Sequence, residues 1–257
     1  MRKITISKLP KLLQTVHKAQ VKWKNDNYSE SVHDFQNEIE SILELLNLYA
    51  KWKSKFHDEK ITQKMFPEIF MDGISSLHFA LLGLYKYSNM CLRSQLETAL
   101  RLIYFIDHKR EYNWWLQDNE WYRKQSLSYV WGSDFSYFKE LKNIRDFDNA
   151  CDGPKKIFSA KKKKGDLLEN IYGQLSKSIH ASATHFQTST GRYSPRYTKN
   201  KMEEWISNFK KIQCYIFICL ILVFPEEFKK MIASDQDVIL NKGIGDADFI
   251  RIIKTVI

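Results

Sequence analysis

The chain has 257 residues, 40 Lys plus Arg against 30 Asp plus Glu, and a net charge of +10. Nine Gly and five Pro are well under the roughly 12% of average usage, which argues against a loop-rich β-sandwich, a collagen-like repeat and a disordered chain. With 44% hydrophobic and 14% aromatic residues, one sizeable core can be buried.

The clearest periodicity begins at Ser31. Val32, Phe35, Ile39, Ile42, Leu46 and Tyr49 recur every three or four residues, with acids between them, so an amphipathic helix is expected. Ser31 and Asp34 fit a capping box at its start. A second helix is expected to open at Pro67, which suits a first turn. A third covers about residues 89–115, with shorter ones near 119–127 and 134–145. Residues 166–185 and 199–224 read as two more, the latter ended by Pro225, and Asp246 or Asp248 would cap a terminal helix. Segments 147–165 and 187–198 read as loops. No period-two alternation marks a strand. The expected fold is all-α, with N-terminal helices in residues 1–60 packing on a helical bundle of residues 61–257 that carries C-terminal helices.

Cys91, Cys151, Cys214 and Cys219 stand apart without CxxC spacing, which points to free thiols in a reducing cytoplasm and to no metal site. The start MRKITISKLPKLL lacks an apolar signal core, and the apolar run 212–224 is short for a bilayer span, so no membrane association is expected. No phosphate loop, HExxH or GxSxG motif is present, and no cofactor is expected.

The third helix, MCLRSQLETALRLIYFIDHKREYNWW, carries a polar stripe on an apolar body. Arg93, Glu97, Arg101 and His108 stand four, four and seven residues apart and share one face. Such charges must be paired, as an i,i+4 ladder that orients the helix or as a basic pocket beside an imidazole. On a later helix, IYGQLSKSIHASATHF, Ser176, Lys177 and His180 can line one face, and His180 is either a satisfied core histidine or a proton carrier.

The order LRSQLETALRLIYF, a tryptophan-rich stretch, then IYGQLSKSIHAS resembles the HEPN-like helical proteins of prokaryotes. More narrowly, it resembles a bacterial branch marked by an LRS-x-LE helix and a later Y-x-x-LS-x-x-H helix. The resemblance spans Phe66 to Phe186. It implies a metal-independent ribonuclease of toxin–antitoxin, CRISPR or phage-defence type, acting as a dimer whose R-x(4–6)-H motifs meet in a shared cleft. The chain departs from that pattern. Arg101 and His108 have R-x6-H spacing but sit on the earlier helix, and no arginine precedes His180 between Tyr172 and Lys177. Either Arg93 or Arg101 meets His180 across helices, with Glu97 orienting the arginines and His108 as the alternative acid or base, or the chain is a non-catalytic subunit. Metal-free RNA cleavage needs a base, a cation on the phosphate and an acid, and these residue types supply them.

Two loops fit a nucleic-acid partner, RNA more than DNA. Lys161, Lys162, Lys163 and Lys164 form a basic run, either a phosphate-tracking arm or a solvated tether. GRYSPRY interleaves Arg192 and Arg196 with Tyr193 and Tyr197, a pattern that suits stacking on unpaired bases. A homodimer or a protein partner is expected beside the nucleic acid. Replacing Lys161 to Lys164 with alanine should leave the melting temperature nearly unchanged, weaken RNA binding and flatten its salt dependence. A salt titration of affinity checks this, and an unchanged slope identifies a tether.

Overall fold

A computed structural model describes residues 11–56, 59–117, 130, 137–151, 157, 167–179 and 196–257. These are helical with no strand among them, so the fold is all-α. In chain order the helices are α1 (Lys11–Lys53), α2 (Lys60–Leu81), α3 (Tyr85–Asp107), α4 (Lys109–Gln117), α5 (Tyr137–Glu140), α6 (Lys142–Ala150), α7 (Leu167–Ile179), α8 (Lys199–Val223), α9 (Pro225–Lys229), α10 (Ala233–Val238) and α11 (Ala247–Val256), with a π-helical turn, Ile239–Ile244, before α11.

Helix α8 is the centre of the core. Residues 212–222 are all buried, covered by α1, α3, α6, α7, the π-helical turn and α11. Each large apolar side chain so enclosed contributes about 1.5–3 kcal/mol relative to exposure. Helix α8 is apolar and long enough to cross a membrane by composition alone, yet 72% of its most apolar window is buried within the protein. It ends where Pro225 cannot continue it, and Pro225 opens α9 instead.

The long helices are tied together by one buried chain of hydrogen bonds. The Tyr49 hydroxyl of α1 donates to Gln213 Oε1 of α8 at 2.5 Å, and Gln213 Nε2 donates to Gln95 Oε1 of α3 at 2.9 Å. Gln95 Nε2 then donates to the Ile69 carbonyl of α2 at 3.1 Å. Gly73 makes this last step possible. A Cβ there would lie 2.6 Å from Gln95 Nε2 and 2.3 Å from Leu46 Cδ2, so a side chain would bar the amide from the α2 backbone. A second knot joins three of these helices, α2, α3 and α8: Ser76 and Ser88 exchange hydroxyl-to-carbonyl bonds, and Trp205 Nε1 donates to Ser76 Oγ at 3.0 Å.

Several expected boundaries are corrected. Helix α1 does not begin at Ser31 but runs through it, with a non-helical Phe35 (φ −133°, ψ 29°) marking a kink. Ser31 is no cap. Its hydroxyl bonds the Asn27 carbonyl at 2.7 Å within the helix and the Leu81 carbonyl of α2 at 3.0 Å. Pro67 lies inside α2, which starts at Lys60. The third helix breaks at His108, whose backbone leaves the helical region before α4. Phe147 is in α6 and not in a loop. Asp246 caps α11 as expected, its Oδ1 accepting from the Asp248 and Phe249 N–H groups. The expected helix at 119–127 lies outside the described residues.

Gln213→Leu orphans both the Tyr49 hydroxyl and Gln95 Oε1 in the core, and should cost roughly 2–6 kcal/mol, about 1–3 for each stranded group. Denaturant unfolding checks this. Adding Tyr49→Phe removes one orphan, so the double variant should be less damaged than the sum of the single ones.

Candidate functional site

The polar stripe of α3 comes first because its partners are now visible. Glu97 stands between the two arginines: Arg93 Nε bonds Glu97 Oε1 at 2.8 Å, and Arg101 Nη1 lies 3.7 Å from Glu97 Oε2. The i,i+4 spacing alone gives this ladder. A fourth member arrives from α7. Tyr172 donates its hydroxyl to Glu97 Oε1 at 2.9 Å and accepts from Arg93 Nη2 at 2.5 Å, while the Arg93 guanidinium carbon sits 4.6 Å from the ring centroid. The cation thus rests on an aromatic face and a carboxylate at once.

The three charged side chains are 18, 19 and 22% exposed, so the cluster is at the edge of the core and water reaches it. Arg101 is the more loosely held arginine, because 3.7 Å is an ion-pair contact and longer than a hydrogen bond. It is the cation most able to turn to an incoming anion.

A carboxyl group that the sequence reading missed stands beside this ladder. Asp72 of α2 has its pKa raised from the ordinary 3.8, first by burial and then by the charges of Glu68 and Glu97, against a hydrogen bond from Ser94. Cys91 nearby is pushed upward too, by burial and by Asp72. Glu97, which holds both arginines, therefore also raises the pKa of a carboxyl group on the adjoining helix. The signal was present in the sequence: Glu68 and Asp72 stand four apart within the largely apolar stretch MFPEIFMDGI of that helix.

His108 is held elsewhere. It ends α3, its Nδ1 lies 3.0 Å from the Tyr104 carbonyl, and its ring stacks on Tyr104 with centroids 4.0 Å apart and meets the edge of Tyr137 at 5.2 Å. Among the described residues those are its ring contacts, and neither arginine is one of them. Tyr137 in turn donates to Asp107, and burial raises its own pKa. This is an aromatic clamp on the α3–α4 break.

Tyr197 takes a structural role in place of the expected base stacking. It is 7% exposed, its N–H donates to Asn27 Oδ1 at 3.0 Å, and its hydroxyl donates to Asp34 Oδ2 at 2.7 Å. A ring so enclosed offers no free face to a base. Arg196 beside it is exposed. His180, Lys161, Lys162, Lys163, Lys164, Arg192 and Tyr193 lie outside the described residues. Ser176 bonds the Tyr172 carbonyl at 2.7 Å within α7. All four cysteines are free. Among the described residues, no group of three or more His, Cys, Asp or Glu could hold a metal ion.

No protein-family profile, no curated protein and no solved structure matches the chain.

The raised pKa of Asp72 fixes the sign of a pH effect. The folded state retains this proton above pH 3.8 while the unfolded chain releases it, so folding loses stability from Asp72 as pH rises through its folded pKa. Asp72→Asn removes that loss. The variant should melt higher than wild type at neutral pH, with an advantage that shrinks as pH falls through the ordinary carboxylate range. Paired melting curves across the acid range check this.

Proposed function

We propose that this chain is a HEPN-like, metal-independent ribonuclease or toxin-like effector of a bacterial anti-phage defence system, with its site on the α3–α7 face. One observation carries the reading. The two motifs that resemble the family meet in space: Arg93 and Glu97 of LRS-x-LE hold Tyr172 of Y-x-x-LS-x-x-H, 79 residues away from Arg93. A packing contact of helices needs no such match of charge, hydroxyl and ring.

In this reading Arg101, and Arg93 behind it, take the scissile phosphate. A guanidinium stays charged and can bind two phosphate oxygens as the pentacoordinate charge builds. Glu97 keeps both forks aimed while the site is empty and yields to the phosphate when it arrives. His180 takes the 2′-hydroxyl proton, the 2′-oxygen attacks phosphorus, and the 5′-oxygen leaves with a proton. Asp72, whose burial makes it hold its proton more firmly than an ordinary aspartate, is the acid of choice on the described helices. The products are a 2′,3′-cyclic phosphate and a 5′-hydroxyl end. The reading carries with it a reducing cytoplasm, RNA as substrate, and a homodimer or protein complex.

A second reading is favoured by the ladder itself. Glu97 and Tyr172 already satisfy Arg93, an arrangement that equally suits a non-catalytic subunit which binds nucleic acid or a partner protein in a defence complex.

Arg101→Ala and His180→Ala should each lower the cleavage of a labelled RNA panel by about 10² to 10⁴, the range for lost charge stabilisation or proton transfer. The assay contains EDTA, and melting curves accompany the rates because Arg101→Ala leaves Glu97 with one arginine fewer. Folded variants that lose cleavage support the enzyme. Wild-type protein that binds RNA and cuts none of it supports the subunit.

A further inference from the structure

The start of α1, from Lys11 to Asp26, carries no buried side chain among those described. At 1.5 Å per residue it reaches about 24 Å. The face in question is the one that packs farther along the helix. Leu13, Val16, Gln20 and Trp23 stand at spacings of three, four and three, and the stripe continues to Asn27 and Ser31, which bond the Leu82 and Leu81 carbonyls at the end of α2. Ahead of Asn27 that stripe is bare. Leu13 is 49% and Val16 44% exposed, and Trp23 is only partly covered. Apolar side chains exposed singly are ordinary, whereas a row in register with a packing face asks for a partner.

The rest of this segment is cationic. Lys11, Lys18, Lys22 and Lys24 are exposed, with His17 among them, and the first acid of the sequence is Asp26. Elsewhere surface lysines stand with acids, Lys109 with Glu59, Lys201 with Glu204 and Lys242 with Glu44; these four have no acidic partner among the described residues. Lys11, Lys18 and Lys22 gather on the side away from Leu13 and Val16, and Lys24 flanks the stripe. A helix is about 10 Å across, so even the far lysines would stay within about a Debye length of a surface that the stripe touches. Each half of the pattern speaks against one occupant. Nucleic acid would take the lysines and leave the stripe in water. A second copy would cover the stripe but set one acid-free row of lysines beside another. An anionic bilayer meets both halves, with charged headgroups for the lysines and an acyl boundary for Leu13, Val16 and the amphipathic indole of Trp23.

We propose that the start of α1 lies on the surface of an anionic lipid bilayer, with Leu13, Val16 and Trp23 at the headgroup–acyl boundary and its lysines among the headgroups. This departs from the expectation of no membrane association, which rested on the lack of a spanning or signal segment; a helix lying on a bilayer needs neither. Asn27, bonded to the Leu82 carbonyl and the Tyr197 amide, marks where the helix leaves that surface and joins the domain. The proposal does not depend on the ribonuclease reading.

The test is co-sedimentation of the full chain with vesicles of phosphatidylglycerol and phosphatidylcholine in equal parts, and of phosphatidylcholine alone. The anionic vesicles should bind at least about tenfold more tightly, since each lysine near a charged surface adds about fivefold, and salt should weaken them. Lys18→Ala/Lys22→Ala should lower that affinity by about tenfold or more. Leu13→Gln/Val16→Gln should lower it by about as much, which separates insertion from the adsorption of a basic protein, and glutamine keeps the helix propensity. Neither pair should shift the melting temperature of the free protein, because none of the four side chains is buried. The proposal is overturned if the chain stays in solution at about 1 mM anionic lipid, roughly ten times the half-point of a single reversible lipid anchor. An affinity indifferent to the apolar pair overturns it in favour of charge adsorption only, and one indifferent to the lysine pair removes the charge argument. A single-stranded RNA that displaces the vesicles and loses affinity with both pairs makes nucleic acid the occupant instead. A dimer in solution that the apolar pair dissolves makes it a second copy.

Discussion

A glutamine amide that has to reach a helix backbone organises this fold. Gln95 is fully buried, and burying an amide without partners costs about 1–3 kcal/mol by mutational measures. Its two ends are satisfied by different helices, the nitrogen by the Ile69 carbonyl and the oxygen by Gln213. Gln213 passes the demand on to Tyr49. Four helices are thereby held in one mutual register, because a slide along any of them would strand a polar group in the apolar core. Apolar packing fills the volume but would tolerate neighbouring registers; directional bonds do not.

The same logic operates at the protein's edge, with a different outcome. In the core the relay is neutral and closed to water. On the α3–α7 face the relay is charged and a fifth exposed, so its members keep the capacity to exchange one partner for another. Tyr172 serves as both cushion and clasp there, bonding a carboxylate and a guanidinium and lying under the latter. A tyrosine hydroxyl takes part in both relays, and charge and water access separate them.

What the sequence made legible was local. The periodicity of 199–224, the stop at Pro225, the Asp246 cap and the Arg93–Glu97–Arg101 ladder all follow from contacts within one or two turns, and all are present. The misreadings have a shared cause. Ser31 has the right chemistry for a cap, but its hydroxyl is taken by its own helix and by the end of α2, fifty residues away. Pro67 suits a first turn and yet sits inside a helix that its neighbours hold in place. Tyr197 follows an arginine in an apparent recognition loop and is instead a buried clasp for α1. Tyr172 and Asp72 gain their interest only from partners on other helices.

The clasp at Tyr197 has a consequence for how the long first helix opens. From Lys11 to Asp26 no described side chain of α1 is buried; the first buried one is Asn27, which bonds both the Leu82 carbonyl and the Tyr197 amide. Amide exchange along α1 should therefore fall into two regimes. Ahead of Asn27 the backbone opens by fraying, at little free-energy cost, whereas beyond it each opening must first break a bond to α2 or to the approach to α8. One asparagine thus sets the boundary between a helical extension that the solvent can unwind at will and a segment whose unwinding belongs to the whole domain.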